Sequence, residues 1–144
     1  MRVTELIRGR RVVSVTPETS VLEAARSMVD NEFGAVTVVD GSELVDILSE
    51  RDLMTRVLAC GRVASATTVA EVMTKNPHVV GPTDDVDECM FLMKEHNFRH
   101  LPVLNERSQV IGMVSMKDIL WTEIEEKDRE HKFMRAYVSG VRNF

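Results

Sequence analysis

The sequence predicts an α+β fold of two β-α-β-β-α repeats, packed against each other with pseudo-twofold symmetry and followed by a C-terminal helix. The chain matches itself after a shift of 65 residues, and each half alternates strand-like and helix-like apolar patterns. At 144 residues it is long enough for two small, closely packed units. One such unit is too small to bury both faces, so we expect the copies to pack together. The expected repeats are residues 1–63 and, with a C-terminal helical extension, residues 64–144.

The internal repeat can be followed residue by residue. The shift of 65 matches these pairs: Val15 with Val80, Pro17 with Pro82, Val21 with Val86, Met28 with Met93, Phe33 with Phe98 and Val38 with Val103. One extra residue in the loop after Asn105 then changes the shift to 66, which matches Ser49 with Ser115 and Asp52 with Asp118. Two copies of one supersecondary unit therefore fill most of the chain.

Each repeat begins with a short apolar strand followed by a helix. The strands are expected at Val12–Val15 and Val79–Val80, each stopping before a proline. Helix starts are indicated by capping patterns, Ser20-x-x-Glu23 and Asp85-x-x-Glu88, in which a side-chain oxygen satisfies amides of the first turn. The apolar stripes have helical spacing and are expected to be core: Val21, Ala24, Ala25 and Met28, and Val86, Cys89, Met90 and Met93.

A β-hairpin and a second helix complete each repeat. The hairpin strands are expected at Ala35–Val39 with Leu44–Leu48 and at Leu101–Leu104 with Val110–Val114. The first hairpin turns at Gly41, which suits the positive φ of a tight turn. The second helices begin near Ser49 and Ser115. Residues 61–67 form the linker, and Thr68-x-x-Glu71 caps a short lead-in helix that ends near Met73.

A charged segment follows Trp121 before apolar residues return near the end of the chain. The apolar residues are Phe133, Met134, Tyr137 and Val138. Their spacing predicts that an amphipathic helix continues through this region, with the charges on a solvated face. The apolar end either docks on the body of the protein or contacts a second subunit.

Composition narrows the possible function classes. The chain is 44% hydrophobic and 28% charged, with a net charge of -5 and dispersed basic residues, which argues against nucleic-acid binding. No apolar run approaches the roughly 18 residues of a membrane span, and the N-terminus lacks the apolar centre of a secretory signal. We therefore expect a cytoplasmic protein without a membrane partner. Cys60 and Cys89 lack CxxC spacing and are expected to be reduced thiols.

One motif, S-x-x-D, recurs at the end of the last strand of each repeat, at Ser49 with Asp52 and at Ser115 with Asp118. It has two interpretations. It is a plain helix cap, in which the serine accepts from the third amide and the aspartate favours the positive end of the helix dipole. Alternatively, the free amides and hydroxyl bind an anion while the carboxylate accepts both hydroxyls of a ribose. Arg51 and Lys117 would supply positive charge for phosphate.

These features resemble a known family. The duplicated S-x-x-D endings, the segment Phe98–Val103 and the segment Val69–Thr74 before the second repeat resemble tandem cystathionine-β-synthase (CBS) domains, a pair called a Bateman module. The segment Tyr137–Gly140, with Gly61-Arg62, looks like small stand-alone CBS-pair proteins. The resemblance covers nearly all the chain. It implies a non-catalytic regulatory module that signals to an unidentified effector protein and forms a homodimer through helical faces.

The resemblance also implies a cleft between the repeats that holds up to two adenosyl ligands, such as AMP, ADP, ATP, NAD(H) or S-adenosylmethionine. Asp52 and Asp118 would each hold a ribose. The phosphate-binding residues would be Ser49 and Ser115, with Arg51, Lys117, Arg99 and His100 nearby. Backbone and apolar groups around Thr16 and Pro17 and around Val80 and Pro82 would receive adenine.

The two sites differ in sequence. Asp46 in the first repeat replaces Gly112 in the second, where glycine is expected to let the backbone approach a ligand. Gly34-Ala35 likewise replaces Arg99-His100, and Thr37 replaces Pro102. The site on Ser115 and Asp118 is therefore expected to be the more complete, and that on Ser49 and Asp52 the weaker.

Other chemistries have less support. His96 and His100 have the spacing of two zinc ligands on a helix, but Phe98-Arg99 begins a strand and no third ligand converges in sequence. Cys89 lies on a core stripe, where a thiol is usually inert. We identify no catalytic constellation, no metal site and no covalent cofactor. Two rivals stay open: a structural interaction adaptor in which S-x-x-D is only a cap, and an enzyme that either hydrolyses a bound nucleotide or has a thiol-based redox activity through Cys60.

Overall fold

The computed structural model describes residues 1–73 and 77–142, and confirms a mixed α+β fold with two small sheets and a long C-terminal helix. The helices are α1 (Val3–Ile7), α2 (Val21–Asn31), α3 (Glu50–Asp52), α4 (Val69–Val72), α5 (Val86–His96) and α6 (Met116–Arg142). The strands are β1 (Ser14–Val15), β2 (Ala35–Asp40), β3 (Glu43–Ser49), β4 (His100–Leu104) and β5 (Val110–Ser115). A π-helical turn (Leu53–Leu58) follows α3, and a 3₁₀ turn (Ala64–Ala66) precedes α4.

The first repeat contains a three-stranded sheet. Strand β1 is parallel to β2, and β2 is antiparallel to β3 across a turn in which Gly41 has a φ of +65°, as expected for a tight hairpin. The first core comprises buried side chains of the sheet and surrounding helices: Val21, Ala24, Met28, Val36, Val38, Leu48, Val57, Val69 and Val72.

The second repeat has a shorter version of this sheet. Strands β4 and β5 form the antiparallel hairpin, but the predicted strand Val79–Val80 is reduced to a bridge at Val80. The Val80 N–H donates to the Pro102 carbonyl at 3.0 Å, and its carbonyl accepts from the Leu104 N–H at 2.9 Å. The second core comprises Val3, Leu6, Ile7, Val80, Val86, Cys89, Met93, Leu101, Val103, Val114 and Ile119.

Irregular features of the backbone repeat as faithfully as the regular ones. The residues that end α2 and α5, Glu32 and Asn97, both adopt the left-handed conformation, with φ of 57° and 56°. The carbonyl of Gly34 accepts from the Glu50 N–H at 3.0 Å, and the matching carbonyl of Arg99 accepts from the Met116 N–H at 2.8 Å. Both hairpins also have an irregularity at matching positions, Val38/Val39 and Val103/Leu104. The pseudo-symmetry therefore extends to details that the sequence pattern does not specify.

The helices that lead into the two repeats are exchanged. Helix α1, which the sequence analysis did not predict, packs with Val3, Leu6 and Ile7 in the second core, whereas α4 packs in the first core. The first helix of each expected repeat thus packs in the core of the other repeat. The boundary between residues 63 and 64 stays a prediction.

The helix starts agree closely with the predicted caps. The Ser20 hydroxyl accepts from the Glu23 N–H at 3.1 Å, and the Glu71 carboxylate accepts from the Thr68 N–H at 2.8 Å. At the start of α5 the Asp85 carboxylate accepts from the Asp87 N–H at 2.9 Å, one residue earlier than the pattern predicts. Helix α4 ends at Val72, close to the predicted Met73; Thr74, part of the motif before the second repeat, lies outside the described residues.

The C-terminal helix α6 is continuous over 27 residues, as the apolar spacing predicts. Its first turns pack Ile119 into the second core. Beyond Trp121 its side chains up to residue 139 are almost all exposed, including the predicted apolar end Phe133, Met134, Tyr137 and Val138. In the part of the chain that the structure describes, no helix has the length and apolarity that crossing a bilayer requires.

Candidate functional site

A cleft of about 1410 Å³ lies between the two repeats. This volume exceeds the roughly 300–1,000 Å³ of an ordinary small-molecule pocket, so the cleft has room for more than one ligand. Eight of the residues predicted to bind a ligand line it: Ser49, Arg51, Asp52, Arg99, His100, Ser115, Lys117 and Asp118. Two segments 66 residues apart in the sequence are thus brought to one site.

The four residues expected around adenine lie elsewhere. Thr16, Pro17, Val80 and Pro82 are not among the described residues that line the cleft. The turns after the first strands instead hold the exchanged helices: the Pro17 carbonyl accepts from the Ala70 N–H, and the Pro82 carbonyl from the Thr4 N–H, both at 2.9 Å. The cleft wall is formed earlier along each segment, by Val12 and Val13 and by Pro77 and His78. Adenine contact by the four residues stays a prediction.

At the first site, Ser49 and Asp52 form a reciprocal cap. The Ser49 hydroxyl accepts from the Asp52 N–H at 3.3 Å, while Asp52 Oδ2 accepts from the Ser49 N–H at 2.9 Å and from its hydroxyl at 3.0 Å. The other carboxylate oxygen is 4.0 Å from Nε of Arg56. The cap interpretation therefore describes this site well, because Asp52 turns back onto its own helix start.

At the second site, Ser115 caps α6 but Asp118 does not turn back in the same way. The Ser115 hydroxyl accepts from the Asp118 N–H at 3.0 Å. The carboxylate instead pairs with Arg10, whose Nη1 lies 2.5 Å from Asp118 Oδ2. Sequence reasoning missed Arg10. The available signal was the Arg10-Arg11 doublet directly before the first strand.

His100 occupies the middle of the cleft, where the two repeats meet. A Cβ atom added to Gly34 would lie 3.3 Å from Nε2 of His100, so the imidazole rests against the first repeat. Burial lowers the pKa of His100 from its ordinary value of 6.5, against the opposing effect of the Glu50 and Asp118 carboxylates. The ring is therefore neutral at pH 7 and can act as a hydrogen-bond donor or acceptor.

Three rings line the cleft on the side of the second repeat. The ring centroids of His78 and His96 are 4.2 Å apart, and Phe98 stacks at 5.3 Å from His78 and 5.7 Å from His96. His96 thus stacks within this cluster, whereas His100 rests against Gly34. Within residues 1–73 and 77–142, no three metal-ligating side chains form a group able to hold an ion. Sequence reasoning weighed His96 only as a zinc ligand and missed the stack.

Gly112 does not approach the cleft as expected. A Cβ atom at this position would lie 2.9 Å from Cδ1 of Ile7, so the absent side chain makes room for α1. The matching residue Asp46 is buried and lines the cleft. The two sites therefore differ by the Asp46 carboxylate at the first site. Gly112 does not give a ligand closer access to the backbone at the second site.

Comparison with known sequences places the chain among CBS proteins. A family model described as CBS domain matches residues 3–59 and 69–123. The chain is 32% identical over 130 residues to CBSX3, a mitochondrial CBS domain-containing protein of Arabidopsis thaliana, covering 87% of this chain and 63% of that protein. It is 33% identical over 114 residues to inosine-5'-monophosphate dehydrogenase of Korarchaeum cryptofilum, covering 79% of this chain but 23% of that protein. The chain thus spans less than two thirds of either relative.

Solved structures agree with this assignment. A CBS-domain protein from Burkholderia ambifaria superposes with a TM-score of 0.82 at 36% identity, covering 87% of this chain and 95% of that one. A CBS domain protein from Pyrobaculum aerophilum, complexed with AMP, superposes with a TM-score of 0.74 at 26% identity, covering 82% of this chain and 89% of that one. Because the family model matches both repeats, the chain belongs to the CBS domain family and contains two CBS domains.

Proposed function

We propose that this protein is a non-catalytic regulatory module that binds an adenosyl ligand in the cleft between its repeats and signals to a partner protein. The observation that carries the proposal is the convergence of eight predicted residues from both repeats on one cleft. The AMP complex of the Pyrobaculum protein supports an adenine nucleotide as the class of ligand. AMP, ADP, ATP, NAD(H) and S-adenosylmethionine are the candidates.

The second site is the better candidate for occupancy. Asp118 lies at the start of α6, where its carboxylate would accept the two ribose hydroxyls. The Ser115 hydroxyl and the amides of the first helical turn would receive phosphate, with Lys117, Arg99 and neutral His100 lining the same cleft.

The first site would bind more weakly. Ser49, Arg51 and Asp52 line the cleft, but the Asp52 carboxylate already accepts two hydrogen bonds from Ser49. Asp46 also lines the cleft at this site, where the second repeat has Gly112. We therefore propose that ligand fills the second site first.

The adenine ring would lie on the outer walls of the cleft. Thr16, Pro17, Val80 and Pro82 stay proposed adenine contacts, although they are not among the described residues that line the cleft. The apolar Val12 and Val13 and the stacked rings of His78 and Phe98 already line the cleft and offer the flat surface that a base needs.

Signalling requires a partner and two states of the module. A ligand shifts an equilibrium only by its differential affinity for the two states, typically about 1–3 kcal/mol of coupling. We propose a homodimer that uses the exposed apolar residues of α6, and an effector protein that reads its packing. A cytoplasmic location belongs to the same proposal, although the Arabidopsis relative is mitochondrial by name.

A structural adaptor without ligand is the second candidate, because the reciprocal cap at Ser49 and Asp52 explains the S-x-x-D motif without any ligand. The redox alternative has less support. Cys89 is buried in the second core, and burial raises the pKa of its thiol to about 11, so it is unreactive at neutral pH. Only Cys60 is exposed.

Thermal unfolding with AMP, ADP, ATP, NADH and S-adenosylmethionine tests the proposal on the wild type, Asp118→Ala, Asp52→Ala and, as a control on the exposed part of α6, Asp128→Ala. A ligand at about 100 times its dissociation constant should stabilise the wild type by about 2.7 kcal/mol. We expect Asp118→Ala to abolish this gain, Asp52→Ala to reduce it less and Asp128→Ala to retain it. No gain from any ligand, for protein free of co-purified nucleotide, would favour the adaptor.

A further inference from the structure

The segment that joins α1 to β1 crosses from the second repeat to the first along the cleft. Helix α1 is anchored in the second core, and the Arg10 N–H donates to the Ile7 carbonyl at 3.1 Å at the turn that follows. Gly9 has a φ of +75°, which lets the chain reverse there. Four residues beyond Arg10 the chain enters the first sheet as β1. The backbone of Arg10 is therefore held beside the second site by structure on both sides.

The Arg10 side chain engages the carboxylate on which ribose binding would depend. Its Nη1 lies 2.5 Å from Asp118 Oδ2, with side-chain exposures of 43% and 28%. Asp118 therefore has a charged donor in place before any ligand arrives. The matching carboxylate, Asp52, is occupied mainly by its own helix cap.

This ion pair affects ligands differently according to their charge. A nucleoside must compete with the guanidinium for Asp118 and offers the displaced arginine no anionic partner in return. A nucleoside phosphate competes in the same way but brings an anion that the arginine can bind, and charge-assisted hydrogen bonds to phosphate are among the stronger ones in proteins.

We propose that Arg10 is a specificity-determining residue that makes the second site select nucleoside phosphates over uncharged nucleosides. This inference rests on the proposed function of the same site and names its ligand class. Arg10 exchanges Asp118 for the phosphate when the nucleotide binds, which leaves the carboxylate free for the ribose hydroxyls.

Lys117 provides a contrast that isolates this exchange. It lines the same cleft and is also cationic. Among the ion pairs of the described residues, however, the partner of Asp118 is Arg10 and not Lys117. Removing Lys117 should weaken phosphate binding and leave adenosine unaffected. Removing Arg10 should weaken phosphate binding and at the same time strengthen adenosine binding, because the competition for Asp118 ends. The two variants therefore differ in the sign of the effect on adenosine.

Isothermal titration with AMP and adenosine tests the inference on the wild type, Arg10→Met, Lys117→Met and Arg8→Met, the last a control outside the described cleft lining. We expect Arg10→Met to weaken AMP about tenfold. Adenosine should bind Arg10→Met about two- to fivefold more tightly, as suits a partly exposed ion pair. In Asp118→Ala, adding Arg10→Met should no longer improve adenosine binding.

The outcomes distinguish a failure of the role proposed for Arg10 from a failure of the proposed function. A wild type that binds AMP in an Asp118-dependent manner, with an AMP-to-adenosine preference unchanged within about twofold in Arg10→Met, overturns the role of Arg10 and leaves the proposed function standing. Equal weakening of both ligands in Arg10→Met also overturns it, because it indicates general damage to the site. A wild type that binds neither compound overturns both.

Discussion

Ile7 and Gly112 lie in direct contact: a Cβ atom on the glycine would come within 2.9 Å of Cδ1 of Ile7 and 3.1 Å of its Cβ and Cγ2. The contact joins a helix at the start of the chain to the last strand of the second repeat. It explains why glycine occurs in β5 although it weakens strands in general. The Ile7 carbonyl also accepts from the N–H of Arg10, whose side chain pairs with Asp118.

Gly112→Ala should therefore destabilise the protein. We expect a loss of about 1–3 kcal/mol in the free energy of unfolding, since an added methyl group overpacks a close contact between α1 and β5. Gly81→Ala is the matched control, because the nearest atom to its added Cβ outside the adjacent residues would lie 3.8 Å away, at Oδ2 of Asp84. Urea unfolding measures both. Combining Gly112→Ala with Ile7→Ala should cost less than the sum of the single losses, and strict additivity would contradict the contact.

The two serine caps should contribute to stability as well as to the proposed site. Ser49→Ala removes a hydroxyl that both accepts from the Asp52 N–H and donates to its carboxylate. We expect it to cost about 1 kcal/mol, and Ser115→Ala, which loses one such bond, about 0.5–1 kcal/mol. Ser42→Ala in the exposed turn before β3 is the control. Equal stability of Ser49→Ala and Ser42→Ala in urea unfolding would count against the cap.

Much of the fold was predictable because each element of the repeat occurs twice in the sequence, so the pattern at one position supports the prediction at the other. The stripe at Val21, Ala24 and Met28 is buried, as helical spacing predicts. Helix α1 was not predictable: its five residues are too few to establish a period, and its stability comes from tertiary burial of Val3, Leu6 and Ile7 in the other repeat. Exchange of lead-in helices is a long-range arrangement that local pattern does not encode.

The candidate site was predictable where one motif indicates both where a side chain lies in the fold and what it can bind. S-x-x-D follows a strand end and so placed Ser115 and Asp118 on the cleft. The ion pair between Arg10 and Asp118 was not predictable, since Arg10 reaches Asp118 only because α1 lies in the second core. Adenine contact by Pro17 and Pro82 stays a prediction. That their carbonyls accept from the exchanged helices was not predictable either, because it depends on the same tertiary arrangement.

The two cysteines should react at very different rates in the native protein. Burial raises the pKa of the Cys89 thiol to about 11, so at pH 8 only about one molecule in a thousand carries the thiolate there. Cys60 is exposed. Labelling with a chromogenic disulfide reagent should give one fast thiol, lost in Cys60→Ser, and a second only on unfolding. Fast labelling of Cys89 in the folded protein would contradict its burial.

Self-association through α6 should depend on its apolar end. Phe133 and Tyr137 lie four residues apart on one helix face and are 73% and 66% exposed. Replacing both with serine should weaken a dimer by at least about tenfold, given about 1.5–3 kcal/mol for each buried large apolar side chain. Phe91→Ser, on the 64% exposed Phe91 of α5, is the control. Sedimentation equilibrium measures the dissociation constant, and a monomeric wild type would refute this interface.

His100 should make stability depend on pH in one direction. Burial lowers the pKa of its imidazole below the ordinary 6.5 that it regains on unfolding. At pH values well above 6.5 the ring is neutral in both states and contributes nothing to the pH dependence of stability. As the pH falls below this value the unfolded chain binds the proton first, so the free energy of unfolding decreases by at most about 1.4 kcal/mol per pH unit.

Urea unfolding between about pH 7.5 and 5 measures this effect. The difference in the free energy of unfolding between the wild type and His100→Gln isolates the contribution of the imidazole from that of the carboxylates. The stability of the wild type relative to His100→Gln should fall with decreasing pH. Parallel curves for wild type and His100→Gln would contradict the effect of burial. A nucleotide phosphate beside His100 would favour the imidazolium, so saturating AMP should reduce the loss at acidic pH.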